Sequence, residues 1–435
     1  MESLFFKNIL KKDVFPIGGF FGLYAQEGSR DSHPPYDFIA EKYTELIKNC
    51  GINFVVFHLN SVETDSGKRV LQLYDRYGIG YFITDNRIIV ELKKQRLSYK
   101  LLTEKIKKYT DEYKNAPGYL GLYVWDEPDL QDMAWQSDVC RAFYAAGQDG
   151  VHPYINLLPS NGDRCFNSDG TYCDFEEYVT AYLKECKLSF LSYDHYLYIT
   201  GLRQRATIGD LKFCEDLNTA SVLSKRYGVP FWVHIACGGQ WGEKNVINEY
   251  YPNRAQFMLS IHLAMAFGAK GIQYFPLLQP KQFYAPAQNS KVNGLIGYNG
   301  RPNKWYNYAR AVNTFLSAHS RIFCLAEHEG VAFLGGSAVP ATSRGVAIDQ
   351  NRYGCVEYME ADHAVIGLFS FEGKPMYYIV NNSVKENGEV CIRFDRDYRF
   401  RVLSLKGEKE LSADKKSRCV AMRLKPAECS VLLAL

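Results

Sequence analysis

The chain has 435 residues, more than one hydrophobic core usually serves, so a large domain with a smaller companion is expected. Its 51 basic and 48 acidic residues leave a formal net charge of +3, and its basic clusters (105–108 and 415–418) are short, which removes the electrostatic case for nucleic acid or a membrane surface. Twelve cysteines without a CxxC pair argue against zinc or a disulfide framework, and no run approaches the roughly 20 apolar residues of a membrane span.

In chain order, strand-like apolar runs occur at 14–22, 53–59, 79–84, 120–125, 152–158, 188–193, 230–236 and 271–275. Amphipathic segments separate them. Those at 36–50, 99–113 and 175–187 repeat apolar residues every three or four positions. Strand and helix alternating in this way predict a (β/α)8 TIM barrel over residues 1–324, closed by a helix around 303–319. Gly51, Gly78, Gly121, Gly228 and Gly271 fall near strand starts and are read as turn glycines that tolerate positive φ.

Beyond residue 325 the pattern changes to short alternating runs at 364–372, 376–382, 389–394, 398–405 and 429–435, divided by turn residues. A small C-terminal antiparallel β-sandwich is predicted over 325–435. The N-terminus lacks the apolar core and cleavage site of a signal peptide, which fits a cytoplasmic setting.

The most informative segment ends the fourth run. Leu120 to Trp125 is apolar and aromatic, and it stops at Asp126, Glu127 and Pro128. In an α/β barrel the C-terminal strand ends share one mouth, and neighbouring carboxyls there can be tuned to different pKa values. Pro128 and Asp129 also fit the first turn of a following helix, so capping is the competing role for Asp126.

The other strand ends would bring Tyr24, His58, Asn60, Asp85, Asn86, Asn156, Asp194, His195, Tyr196, His234, Gln240, Trp241, Gln273 and Tyr274 to the same mouth. Trp125, Trp232 and Tyr274 are candidates to stack on sugar rings, with core packing as the competing role. Asp85, Asn86 and Asn156 are candidates for binding hydroxyls, or for capping loops. His195, Tyr196 and His234 complete the predicted substrate-binding set. The histidines lack metal-type spacing, and no dinucleotide fingerprint, phosphate loop or nucleophile elbow is present, so no metal or cofactor is expected.

The ending Trp125-Asp126-Glu127-Pro128 resembles the Asn-Glu-Pro that carries the acid/base glutamate of clan A glycoside hydrolases, and Tyr193-Asp194-His195-Tyr196 is similar to their sugar-side His and Tyr residues. The resemblance implies a barrel hydrolase of β-type glycosidic bonds with Glu127 as acid/base and an oligosaccharide or glycoside as its partner. Two positions depart from it. Asp126 replaces the family's Asn, and the seventh run (230–238) lacks the family's nucleophilic glutamate.

Three routes stay open. Asp194 activates water in an inverting reaction, Asp126 assists attack by a substrate acetamido group as in substrate-assisted β-N-acetylhexosaminidases, or Glu243 swings in as nucleophile. Strands four and six of a barrel lie about 10 Å apart, which suits the inverting spacing. The alternative is a carbohydrate-binding barrel that has lost its nucleophile. The sequence leaves the oligomeric state open.

Overall fold

The computed structural model describes residues 13–23, 36–57, 62, 64–95, 97–148, 150–160, 173–197, 211–238, 240–241, 246–248, 252–278, 294–297, 300–336 and 355–435. Within them, eight parallel strands close into a barrel: β1 (Ile17–Phe20), β2 (Phe54–Phe57), β3 (Gly80–Ile83), β4 (Tyr119–Asp126), β5 (Tyr154–Leu157), β6 (Leu191–Tyr193), β7 (Phe231–Ala236) and, after a short β8–β9 hairpin (Gln240–Trp241 with Val246–Asn248), β10 (Gly271–Phe275). The barrel is closed by pairing of β10 with β1. Each strand lies within or beside its predicted run, and most are shorter.

The helices are α1 (Tyr36–Asn49), α2 (Asp65–Tyr77), α3 (Leu92–Gln95), α4 (Tyr99–Thr110), α5 (Met133–Ala145), α6 (Phe175–Glu185), α7 (Leu211–Tyr227), α8 (Arg254–Ala266), α9 (Lys304–Ala318) and α10 (Ser320–Leu325). Their ends follow local chemistry. Thr64 caps α2 by accepting from the Gly67 amide at 3.0 Å, and Gly78 ends it at φ 63°. A capping box between Asn253 and Gln256 starts α8. One element was not expected: a π-helical turn over Arg87–Glu91 follows β3.

Two apolar layers hold the barrel. Phe20, Phe54, Phe82, Leu120, Tyr123, Tyr154, Phe190 and Trp232 fill the lumen, while the outward strand residues pack under the helices. Phe190 and Trp232 stack at 4.2 Å between ring centroids, a contact worth about 0.5–1.5 kcal/mol beyond its buried area. Two of the predicted turn glycines serve other ends. Gly271 opens β10 without a positive φ, where a Cβ would meet the Trp232 ring at 2.6 Å, and Gly121 lies inside β4 at φ 146°, pressed against the His152 carbonyl. The first makes room for a lumen side chain and the second for a close approach of β4 to β5.

The C-terminal part forms two antiparallel sheets. Its strands are β11 (Glu327–Gly335), β12 (Val356–Ala361), β13 (His363–Phe371), β14 (Lys374–Asn381), β15 (Gly388–Phe394), β16 (Arg399–Ser404), β17 (Gly407–Ser412), β18 (Cys419–Leu424) and β19 (Cys429–Ala434). The larger sheet runs β11-β13-β14-β19-β16-β17 and the smaller β12-β15-β18. Their inner faces enclose a core of their own around Ile366, Ile379, Ile392 and Phe400.

The larger sheet packs on α8, which is buried almost all round for that reason. His262 of α8 pairs its Nδ1 with the Tyr378 hydroxyl at 2.8 Å, and a Cβ on Gly367 would meet the Ala266 carbonyl at 2.1 Å. No described helix is long and apolar enough to cross a membrane.

Candidate active site

The site grows out of the end of β4. The β4–β5 register slips between Tyr123 and Trp125, a bulge that turns Tyr123 and Asp126 towards each other. The Tyr123 hydroxyl then donates to Asp126 Oδ1 at 2.7 Å, and Asn156 Nδ2 donates to the same oxygen at 3.4 Å. Asn156 is itself set by β6, its Oδ1 accepting from Ser192 Oγ at 2.9 Å. Asp126 is thus fixed from below by two strands.

Glu127 follows in the left-handed region, at φ 47°, with its amide donating to the Asn156 carbonyl at 2.9 Å. A glutamate in this conformation carries backbone strain, and such strain collects at functional positions. Phe21, just past the end of β1, is held similarly at φ 61°.

Asp194 leaves β6 into the same space. Its carboxyl lies within hydrogen-bonding reach of Glu127, so the two acids meet across β5. The 10 Å between strands four and six does not carry over to the side chains, which lean together over the intervening strand. Burial first, and then the charge and hydrogen bond of Glu127, push the Asp194 carboxyl far above the usual range. Burial, reinforced by the charge of Glu127, raises Asp126 to about 7 against the hydrogen bonds of Tyr123 and Asn156. Carboxyls this close cannot all ionise at neutral pH, and the cluster retains a proton.

Around the acids the predicted residues divide into groups. His195 is fully buried and pairs Nδ1 with Asp216 Oδ2 of α7 at 2.7 Å, while the same Asp216 oxygen accepts from the Ser160 amide at 2.9 Å. Tyr196 stands over the cluster: its hydroxyl is pushed up by burial and then by the charges of Asp194, Glu127 and Asp126, and its ring stacks on Phe275 at 5.7 Å. Phe21 completes that aromatic wall, 5.5 Å from Phe275.

His234 points into the lumen, with Nε2 at 3.2 Å from the Tyr154 hydroxyl, and burial takes its pKa down to about 3, so it is neutral. Gln273 donates to the Tyr154 hydroxyl at 2.5 Å and to Ser192 at 3.3 Å, completing a polar floor beneath the acids.

Five other predicted binders are set among partners outside the acid cluster. Asp85 is held by Arg87, whose Nε and terminal nitrogen donate to it at 3.0 and 2.8 Å, with the Tyr113 hydroxyl adding a third bond at 3.2 Å. This carboxylate is occupied by structural partners. Trp232 is packed into the lumen, and the Tyr274 hydroxyl donates outwards to Asn313 of α9 at 2.6 Å. Trp125 is half-buried under Lys93, whose ammonium sits 4.9 Å from the ring. Asn86 begins the π-helical turn and makes no cap hydrogen bond there.

The capping role belongs to Asp129, which accepts from the Gln131 and Asp132 amides at 2.9 and 3.2 Å. Tyr24, His58, Asn60 and Glu243, and the side chains of Gln240 and Trp241, lie outside the described residues.

Solved structures share the fold. A catalytic mutant of Gan42B, a GH42 beta-galactosidase from G. stearothermophilus, superposes with a TM-score of 0.59 at 9% identity, over 97% of this chain and 98% of that one. A structure described as a glycoside hydrolase gives 0.54 at 13% identity over 97% and 92% of the two chains. A glycoside hydrolase family 5 protein from Bacteroides vulgatus gives 0.54 at 12% identity over 97% and 89%.

This is the fold of the barrel glycoside hydrolases. No protein-family model and no curated protein matches the sequence. The likeness therefore lies in the (β/α)8 barrel with its C-terminal sheets, and the chemistry has to be argued from the site.

Proposed function

We propose that the chain is a glycoside hydrolase of β-linked glycosides in which Glu127 donates the proton to the leaving oxygen and Asp194 and Asp126 are its partner carboxyls. The observation that carries this reading is the convergence of the three acids at the C-terminal mouth of the barrel, with Asp126 and Asp194 both pushed towards the protonated form. A cluster that keeps a proton at neutral pH is what a leaving alkoxide needs.

The contact between Glu127 and Asp194 bears on the route. An inverting pair stands about 6.5–9.5 Å apart to admit a water, and a retaining pair about 5–5.5 Å. A Glu127–Asp194 contact leaves no room for the water that the inverting spacing admits. The described end of β7 (Ile235, Ala236, Cys237, Gly238) offers no nucleophilic carboxylate. The reading best supported is substrate assistance, in which a 2-acetamido group attacks the anomeric carbon, Asp126 orients it, and the Glu127–Asp194 pair supplies the proton.

That same β7 end favours a second reading, a barrel that binds a sugar without cleaving it. Glu127→Gln is expected to lower turnover of aryl β-glycosides at least about a hundredfold, the usual scale of general acid catalysis. Undiminished activity in that variant would remove Glu127 from the mechanism. A panel with and without the 2-acetamido group separates the remaining cases: turnover confined to acetamido sugars with a retained anomer supports substrate assistance, an inverted product returns Asp194 to the role of base, and binding without turnover supports the second reading.

A further inference from the structure

The outer face of the small sheet carries two cysteines that the glycosidase reading leaves unused. In β15, Val390, Ile392 and Phe394 point into the sandwich, so Cys391 and Arg393 face out; in β18, Val420 and Leu424 point in and Cys419 faces out. The antiparallel register sets Cys391 opposite Ala421 and Arg393 opposite Cys419. The cysteines are therefore diagonal neighbours on one face, and their thiols lie within hydrogen-bonding reach of each other. Both are partly open to solvent, whereas Cys50, Cys140, Cys173, Cys186, Cys214, Cys237 and Cys429 are buried.

We propose that Cys391 and Cys419 form a reversible redox site, a surface dithiol that hydrogen peroxide converts into a cross-strand disulfide.

The two thiols sit in different surroundings, as such a pair requires. At Cys419, hydrogen bonding with Ser417 and then with the Arg393 guanidinium outweighs burial and favours the thiolate. Burial first, then the neighbouring Cys419 and the charge of Glu360 across the β12–β15 ladder, keep the proton on the Cys391 sulfur. Cys419 is accordingly the nucleophile and Cys391 the resolving thiol. The Cys419 thiolate attacks a peroxide oxygen, the O–O bond breaks, and the released hydroxide is protonated to water, leaving a sulfenic acid. The Cys391 sulfur then attacks that sulfenyl sulfur, the S–O bond breaks, and the Cys391 proton leaves with the hydroxide as a second water. Two thiols lose two electrons and two protons, and one peroxide becomes two waters.

Diagonal cross-strand positions sit about 7–8 Å apart, with their Cβ atoms somewhat closer, just beyond the usual disulfide span, so closing the bond requires the two strands to draw together. A bond formed there is strained and easily reduced, which makes the site reversible.

The test uses the full chain, reduced and then treated with equimolar hydrogen peroxide, its remaining thiols alkylated after denaturation and its peptides mapped by mass spectrometry. A Cys391–Cys419 linked peptide that disappears with dithiothreitol is expected. Recovery of both residues in alkylated or sulfonic form, with no link, overturns the proposal. Both positions face solvent, so serine variants should fold. Cys391→Ser is expected to stop at a sulfenic acid on Cys419, trapped by dimedone, and Cys419→Ser to slow peroxide consumption about tenfold or more. Equal reaction rates in the two variants would remove the assigned roles.

Discussion

Asp126 shows how one residue changes meaning between sequence and structure. The resemblance that places Glu127 as the acid expects an asparagine before it, and the aspartate here is pushed up to about 7 by burial and by Glu127. Its folded pKa lies above its ordinary 3.8, so the stability it contributes is fully present below about that value and is lost as pH rises through 7. Asp126→Asn should gain on the parent between pH 4 and 8, by about 2–4 °C in Tm at the alkaline end, since a shift of about three pKa units is at most roughly 4 kcal/mol and each kcal/mol moves a cooperative unit of this size by about 1 °C. Melting curves across the range check this, and a Tm difference independent of pH would remove the protonated Asp126.

The acids were legible because they break an apolar run. Tyr123 was not, since period-two alternation sets residues three apart on opposite faces, and the bulge that reunites it with Asp126 has no sequence signal beyond Gly121. Phe21 and Phe275 were hidden among core aromatics, and Asp216 among the polar residues of α7. Asp85 was readable in principle: an arginine two residues on is a ready partner for a buried carboxylate.

At the level of elements, the strands were legible because a barrel strand buried on both faces is a short apolar run whatever its register. Their lumen was not, because Trp232 and Tyr274 have the same kind of local sequence yet point to opposite sides of the wall. The C-terminal strands β11, β12, β17 and β18 lay outside the five predicted runs, with exposed charged positions diluting their alternation. Helix α8 carries the join between the two parts. Gly367→Val would drive a side chain into the Ala266 carbonyl and is expected to cost about 1–3 kcal/mol, the usual range for overpacking. Chemical denaturation measures it, and a loss below about 0.5 kcal/mol would mean the sheet shifts without consequence on α8.

Across the whole molecule the two parts share one interior. The apolar layer outside the barrel strands runs on into Val331, Val365, Phe369 and Val431 of the larger sheet. Lys270, just before β10, donates to the Phe323 carbonyl at 3.0 Å and to that of Ala326, tying the barrel to the segment that leads into β11. The chain is therefore expected to unfold in one cooperative calorimetric transition, and two resolved transitions would show that the parts are stable independently.

The barrel order sets β10 diametrically across from β4. The acids project from β4 and β6, while the C-terminal sheet grips α8, the helix that feeds β10. The acids and the braced helix thus meet the ring at different strands, and β10 links them by lending Gln273 to the floor and Phe275 to the wall of the site. Side chains at the barrel mouth can therefore vary while the grip on α8 keeps the C-terminal sheet in place.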